Sequence, residues 1–80
     1  MEVPRIVEIK PKDGMILVAK FESGQIKEID IKPYLEIFEP FKQLLNPALF
    51  NSVKVDCGGM GVVWNENIDL SRYDIWEYGV

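Results

Sequence analysis

Histidine is absent from this 80-residue chain. Its absence removes the side chain that most often serves as a general base or as a transition-metal ligand. Cysteine occurs once, at Cys57, so no internal disulfide can form, as is usual in the reducing cytoplasm. No secretory signal opens the sequence, and no apolar run approaches the ~20 residues that span a bilayer. We therefore expect a soluble cytoplasmic protein with no membrane partner.

Basic residues are also few, since nine Lys and Arg stand against thirteen Asp and Glu, for a net charge of −4. No segment concentrates the bases. Nucleic-acid binding draws most of its affinity from neutralised phosphates, so direct binding of DNA or RNA is disfavoured. The excess of acidic residues is explained most simply by solubility. Among possible partners, it favours a small basic protein.

A cluster of glycines is the one segment that invites a phosphate-loop interpretation. Gly58, Gly59 and Gly61 lie close together, but a Walker loop would continue with Lys and then Ser or Thr. Val62 and Val63 follow instead and favour a strand, whereas a dinucleotide fingerprint would open a helix. We interpret the three glycines as a structural hinge between two strands.

Candidates for catalysis are weak. Cys57 is the best nucleophile available, but Asp56 precedes it and disfavours a thiolate. Paired carboxylates for glycoside hydrolysis need a cleft that a chain of this size rarely builds, so we interpret the acids as solvated surface charge. We expect no catalytic residue, no metal site, no cofactor and no enzymatic activity.

Hydrophobic alternation predicts three strands in the first part of the chain. They cover 5–11, 15–22 and 25–31, with turns between them that favour an antiparallel meander. The Ser-Gly pair in the second turn is typical of a primed hairpin turn. The middle strand is apolar on both faces, which favours a central position. The side chains expected to face inward are Val7, Ile9, Met15, Leu17, Ala19, Phe21, Ile29 and Ile31.

Helical spacing follows the meander. Two pieces, over 33–38 and 40–46, meet at a bend because a proline disfavours helical geometry at the residue before it. Asn46 then caps a further turn that ends at Phe50. We expect the apolar stripe of these pieces to cover the sheet, with a partner-binding helix as the weaker alternative. Its members are Tyr34, Leu35, Ile37, Phe38, Phe41, Leu44 and Leu45.

Strand patterns return at 53–55 and at 61–64, on either side of the glycine hinge, and predict a β-hairpin. Asp69 or Ser71 is expected to cap a C-terminal helical turn. The predicted fold class is therefore α+β, in one domain over residues 1–80. It consists of a three-stranded antiparallel meander, short helices, then a β-hairpin and a C-terminal helical turn.

Aromatic residues concentrate near the end of the sequence, and such residues are enriched at interface hot spots. Packing of Trp64 and Trp76 together in the core is the competing interpretation, and it is favoured for Trp64. The exposed edge of the sheet is a second possible docking surface. The residues predicted to contact a partner are Trp64, Asn65, Asp69, Tyr73, Trp76 and Tyr78.

Several blocks of the sequence, in this order, resemble a known family. They are PRIVEIKP at 4–11, FESG at 21–24, DIKPYL at 30–35, PALF at 47–50, VKVD at 53–56, GVVWN at 61–65 and IDL at 68–70. Over nearly its whole length the chain is similar to the prokaryotic domain of unknown function 2442 family. Cys57 departs from that pattern, in which proline is usual. The resemblance implies a small α+β domain and brings no established catalytic residues.

The resemblance also bears on function. Family members are often encoded beside a small protein of the 4160 family of unknown function, in pairs that resemble toxin–antitoxin modules. It therefore implies a non-enzymatic protein-interaction module, the antitoxin-like member of such a pair. The alternative is a small-ligand or regulatory sensor domain, of the kind fused to helix-turn-helix domains in relatives. A monomer and a homodimer are both compatible with the sequence.

Overall fold

A computed structural model describes residues 2–80 of the protein. The strands of this part form two antiparallel three-stranded sheets, with orders β1-β2-β3 and β4-β5-β6. The predicted α+β fold is confirmed. The elements in chain order are β1 (Ile6–Lys12), β2 (Ile16–Phe21), β3 (Ile26–Asp30), α1 (Lys32–Ile37), a 3₁₀ segment (Glu39–Leu45), α2 (Pro47–Phe50), β4 (Lys54–Val55), a glycine turn (Cys57–Gly59), β5 (Gly61–Asn65), β6 (Ile68–Ser71) and α3 (Arg72–Tyr78).

The first sheet is the predicted meander, with β2 between β1 and β3. Leu17, Ala19 and Phe21 on β2 are completely buried, as their alternation predicts. Ile29 and Ile31 are buried as well. An apolar strand gains most from burial in the central position, and this sheet places it there.

The first strand departs from the predicted alternation at its start. Ile6 pairs with Phe21 and Glu8 pairs with Lys20, so β1 has one residue more than β2 between these two pairs. An extra residue of this kind forms a β-bulge. The bulge changes the faces of the sheet on which the side chains lie, so that Ile6 is buried and Val7 is exposed. The prediction that Val7 faces inward is therefore wrong.

The hairpin between β2 and β3 also differs in detail from its prediction. The backbone N–H of Phe21 donates to the carbonyl of Gln25, and the N–H of Gly24 donates to the carbonyl of Phe21, both at 2.8 Å. Positive φ occurs only once in this loop, at Gly24, with +93°. The connection is therefore a three-residue loop over 22–24 with one left-handed residue, and not a primed two-residue turn.

The two helical pieces meet at Phe38, whose extended backbone (φ −122°, ψ 114°) separates α1 from the 3₁₀ segment. The bend is thus where Pro40 predicts it, to within a residue or two. Beyond it, the Asn46 side chain accepts a hydrogen bond of 3.0 Å from the backbone N–H of Ala48. The predicted cap and first turn of α2 are confirmed.

The apolar stripe of these pieces divides between core and surface. Tyr34, Phe41 and Leu44 are buried. The expectation that the whole stripe covers the sheet is wrong, because the extended residue at the bend interrupts the helical period. The members left exposed are Ile37, Phe38 and Leu45.

The second sheet extends the predicted hairpin by one strand. The segment Ile68–Ser71, for which no strand was predicted, forms β6 and pairs with β5, with Gly61 opposite Ser71. The side-chain oxygen of Ser71 then accepts from the N–H of Tyr73 at 2.9 Å. Of the two candidate caps for α3, Ser71 fills the position and Asp69 does not.

Helix α3 joins the two sheets, since it packs against β3 of one and against β5 and β6 of the other. Its residue Ile75 is completely buried in the shared hydrophobic core. Beyond the helix, Val80 and Glu28 exchange two backbone hydrogen bonds, of 2.9 and 3.0 Å, along the outer edge of β3. No helix within residues 2–80 has the length and apolar character needed to cross a membrane.

Candidate functional site

A groove of about 560 Å³ lies where the exposed end of α1 faces β3 and α3. Most of the side chains around it are apolar or aromatic, and the charged ones are carboxylates. We call it the aromatic groove. It is lined by Ile29, Asp30, Pro33, Tyr34, Ile37, Phe38, Asp74 and Tyr78.

Tyr34 of α1 and Phe38, the extended residue that follows this helix, form one side of the aromatic groove. Their rings stack at a centroid distance of 6.4 Å and an angle of 16°. Phe41 of the 3₁₀ segment packs behind both rings, at 5.6 Å from Tyr34 and 5.8 Å from Phe38. Because Tyr34 and Phe41 are both buried in the core, the exposed ring of Phe38 rests on a fixed support.

Helix α3 supplies the opposite side through Asp74 and Tyr78. These residues are four positions apart and therefore project from the same face of the helix. Burial raises the pKa of the Tyr34 phenol above its ordinary value, and the charge of Asp74 and the neighbouring Tyr78 phenol raise it further. Tyr34 therefore keeps its phenolic proton to a higher pH than a free tyrosine does.

The charges of the groove are of one sign, because no Lys or Arg lines it. Asp30 is partly neutralised, since it accepts from the backbone N–H of Lys32 at 2.9 Å and lies 3.2 Å from that residue's ammonium. Asp74 takes part in none of the ion pairs found within residues 2–80. Its carboxylate is thus available to an external cation.

A smaller depression of about 290 Å³, the side pocket, shares Phe38 and Asp74 with the aromatic groove. Asp69 adds another carboxylate there, and again no basic side chain lines the surface. The shared residues make the two depressions neighbours on one acidic and apolar surface. The side pocket is lined by Phe38, Pro40, Phe41, Asn67, Asp69, Leu70, Ser71 and Asp74.

Trp64, predicted to contact a partner, lies in the core. It is only 6% exposed, and its indole N–H donates to the carbonyl of Phe50 at 3.1 Å. Its ring packs against Phe41 and Phe50, at 5.9 and 6.3 Å. A partner would reach little of this side chain in the folded protein, so we correct its role to core packing, the competing interpretation. Trp76 has a different aromatic neighbour, so the two tryptophans do not close the core as a pair.

Two of the predicted contact residues on α3, Tyr73 and Trp76, lie outside the groove. Trp76 is half-buried, with its ring edge-on to Phe21 at 5.0 Å and the Lys27 ammonium 4.7 Å from its ring centre. Tyr73 is exposed, with the guanidinium of Arg72 at 4.6 Å from its ring centre. The predicted cluster of tail aromatics therefore divides among several faces of the molecule.

Two predicted contact residues do line the acidic and apolar surface, namely Tyr78 in the groove and Asp69 in the side pocket. Asn65 belongs to the β5–β6 turn, where its side-chain oxygen accepts from the N–H of Asn67 at 2.9 Å. The side chains of α1 were predicted to contact a partner only in the weaker alternative, and Asp74 was not among the predicted contact residues. Two patterns in the sequence point to them. Asp74 and Tyr78 are four residues apart and share one helix face, and the apolar stripe of the helical pieces is too wide for all of it to face the core.

The glycine turn packs closely against its surroundings. Gly59 has φ +72°, and a side-chain carbon at this position would lie 2.5 Å from the carbonyl oxygen of Ile6. Gly61 makes a similarly close approach to the carbonyl of Leu70. Gly58 has positive φ as well, but a side-chain carbon there would meet only the Met60 side chain, at an ordinary contact distance of 3.8 Å. These contacts support the interpretation of the turn as a structural connection between β4 and β5.

Comparison with known proteins gives a match to one family. The matching family model is described as a protein of unknown function (DUF2442), and it covers residues 6–79. The matched range contains both sheets, all three α-helices and every residue that lines the aromatic groove and the side pocket. No curated protein and no solved structure matches the chain.

Proposed function

The chain belongs to the DUF2442 family, and from that premise we propose that it is a non-enzymatic interaction module that binds a small basic protein through the aromatic groove. In this proposal it acts in the cytoplasm as the antitoxin-like member of a gene pair and masks a surface of its partner. One observation carries the proposal: the groove combines exposed apolar side chains with carboxylates and has no basic lining residue.

The apolar part of the surface supports a protein partner. Ile37, Phe38 and Tyr78 are all exposed and lie around one concave surface. Removing apolar surface from water stabilises a complex by about 25 cal/mol per Å² before the costs of association are subtracted. Contiguous exposed apolar surface of this kind marks interaction sites in soluble proteins.

The charged part of the surface supports a basic partner. Asp30, Asp69 and Asp74 surround the groove and the side pocket, and the whole chain carries a net charge of −4. Complementary charge speeds association and excludes acidic competitors, and its contribution weakens as salt is added. We therefore expect the affinity for the partner to fall with increasing ionic strength.

The proposal is tested by capture of the partner from native cells on the tagged protein, followed by mass spectrometry. We expect a small basic protein in stoichiometric amount, and we expect Ile37→Ser to lose it. Ile26→Ser is the matched control, because Ile26 is 60% exposed, against 67% for Ile37, and lies outside the groove. Absence of such a protein, or equal loss with both variants, would contradict the proposal.

A regulatory sensor for a small ligand is the second candidate, and the size of the groove favours it. Pockets that bind small molecules enclose roughly 300–1,000 Å³, and the aromatic groove measures about 560 Å³. A ligand that binds only the folded state raises its melting temperature. Screening of metabolites by thermal shift, with Ile37→Ser as the binding-deficient variant and Ile26→Ser as the control, distinguishes this candidate from the first.

A further inference from the structure

We propose that the aromatic groove receives the side chain of an arginine from the partner protein. Its guanidinium group pairs with the Asp74 carboxylate, and its planar face lies against the exposed ring of Phe38 or Tyr78. This inference rests on the proposed function, because it specifies the chemistry by which the basic partner is recognised.

The aromatic residues of α3 provide the first argument. Tyr73 and Trp76 each have a cation of the same chain over the ring, from Arg72 at 4.6 Å and Lys27 at 4.7 Å. Tyr78, on the same helix, has no such cation among residues 2–80. The same holds in this part of the chain for Phe38, the exposed ring of the stacked pair, whereas Tyr34 is buried. The groove is thus the place where exposed aromatic faces remain open to a cation from outside.

Asp74 provides the second argument. It lies where the groove meets the side pocket, and it is free of salt bridges within the described residues. Asp30, by contrast, is already engaged by Lys32. A purely apolar partner would cover Asp74 without compensating its charge, which is costly. The geometry therefore points to a partner that brings a positive charge to Asp74.

The choice of arginine follows from the combination of rings and carboxylate. Guanidinium is planar, is more weakly hydrated than ammonium, stacks on aromatic faces and pairs with a carboxylate through two parallel hydrogen bonds. Lysine carries a compact and strongly hydrated charge that makes only point contacts. The remaining stem of the arginine side chain is apolar and suits the contact with Ile37.

The test is an NMR titration of the isotope-labelled full chain with three blocked tripeptides, acetyl-Leu-Xaa-Leu-amide. Xaa is arginine, its neutral isostere citrulline, or lysine. We expect saturable shifts at Tyr34, Asp74 and Tyr78 with the arginine peptide, and an affinity about tenfold or more lower with citrulline, because a neutral group forms no charge-assisted hydrogen bonds with a carboxylate. Equal binding of the citrulline peptide, or shifts centred on Trp76, would overturn the inference.

Two variants show whether Asp74 is the recognising group. Asp74→Asn keeps the shape of the side chain and is expected to weaken the arginine peptide about tenfold or more. Glu77→Gln removes one negative charge from an exposed position of the same helix and is expected to leave the affinity unchanged within about twofold. Thermal melts establish that both variants fold. Equal weakening by both would mean that net charge alone acts, and would refute the assignment.

The failure of this inference is distinguishable from the failure of the proposed function. Suppose that a small basic protein is captured, is lost with Ile37→Ser and is fully retained with Asp74→Asn. This result would support the interaction module and overturn the arginine contact. Capture of no such protein by the natural chain would overturn the proposed function itself.

Discussion

Gly58 and Gly59 form a matched pair for alanine substitution, because both have positive φ, +75° and +72°, and they differ in what surrounds them. An added methyl at Gly58 meets only the Met60 side chain, at an ordinary contact distance of 3.8 Å. At Gly59 it would approach the carbonyl oxygen of Ile6 to 2.5 Å and the Cβ of Arg5 to 3.0 Å. The comparison therefore separates backbone strain from steric overlap.

The expected magnitudes follow from these two terms. The left-handed conformation costs alanine about 1–2 kcal/mol relative to glycine, and this cost applies to both variants. Overlap with a backbone atom, which has little freedom to move, adds about 1–3 kcal/mol for Gly59→Ala alone. A domain of this size has a free energy of unfolding of about 4–12 kcal/mol, so Gly59→Ala removes a large fraction of it.

Urea unfolding followed by tryptophan fluorescence measures both values, since Trp64 is buried and reports on the core. We expect Gly58→Ala to lower the free energy of unfolding by about 1–2 kcal/mol and Gly59→Ala to lower it by at least about twice as much. Equal destabilisation by both substitutions would refute the reasoning, because it would mean that the contact between the glycine turn and β1 is not close.

Three further predictions follow from the core and the surface. Trp64→Phe removes the hydrogen bond to the Phe50 carbonyl, and we expect urea unfolding to show a loss of about 1–3 kcal/mol. Because the pKa of Tyr34 is raised in the folded state, mainly by burial, the folded state retains this proton when the unfolded state has lost it. Stability is therefore expected to fall as pH rises above about 10, and pH-dependent melts of Tyr34→Phe should lack this contribution. Cys57 is exposed, so a thiol reagent is expected to label it without unfolding, and Cys57→Ser should leave the melting temperature unchanged.

The elements that local sequence determines were predictable. The Asn46 cap, the bend next to Pro40 and the central position of β2 each depend on a few neighbouring residues or on a simple alternation. The burial of Trp64 follows from the general rule that a small domain uses its large apolar side chains in the core. These features need no knowledge of distant contacts.

The features that the sequence did not predict depend on tertiary contacts. The bulge that exposes Val7 is a change of register between two strands, and β1 alone does not specify it. The exposure of Phe38 depends on where the chain resumes after the bend, and the aromatic groove exists only because α3 returns to the side of α1. Asp74 and Tyr34 are far apart in the sequence, so their proximity is a property of the packed molecule.

The pairing of Val80 with Glu28 gives the groove an internal reporter. Two backbone hydrogen bonds tie the residue after Gly79 to the outer edge of β3, and the groove lies between the same helix and strand. Any excursion that moves α3 away from β3 must break these bonds and expose both amides to solvent deuterium. The exchange rates of the Glu28 and Val80 amides therefore set an upper limit on how often α3 moves away from β3, because separation of the last two residues alone also exposes these amides.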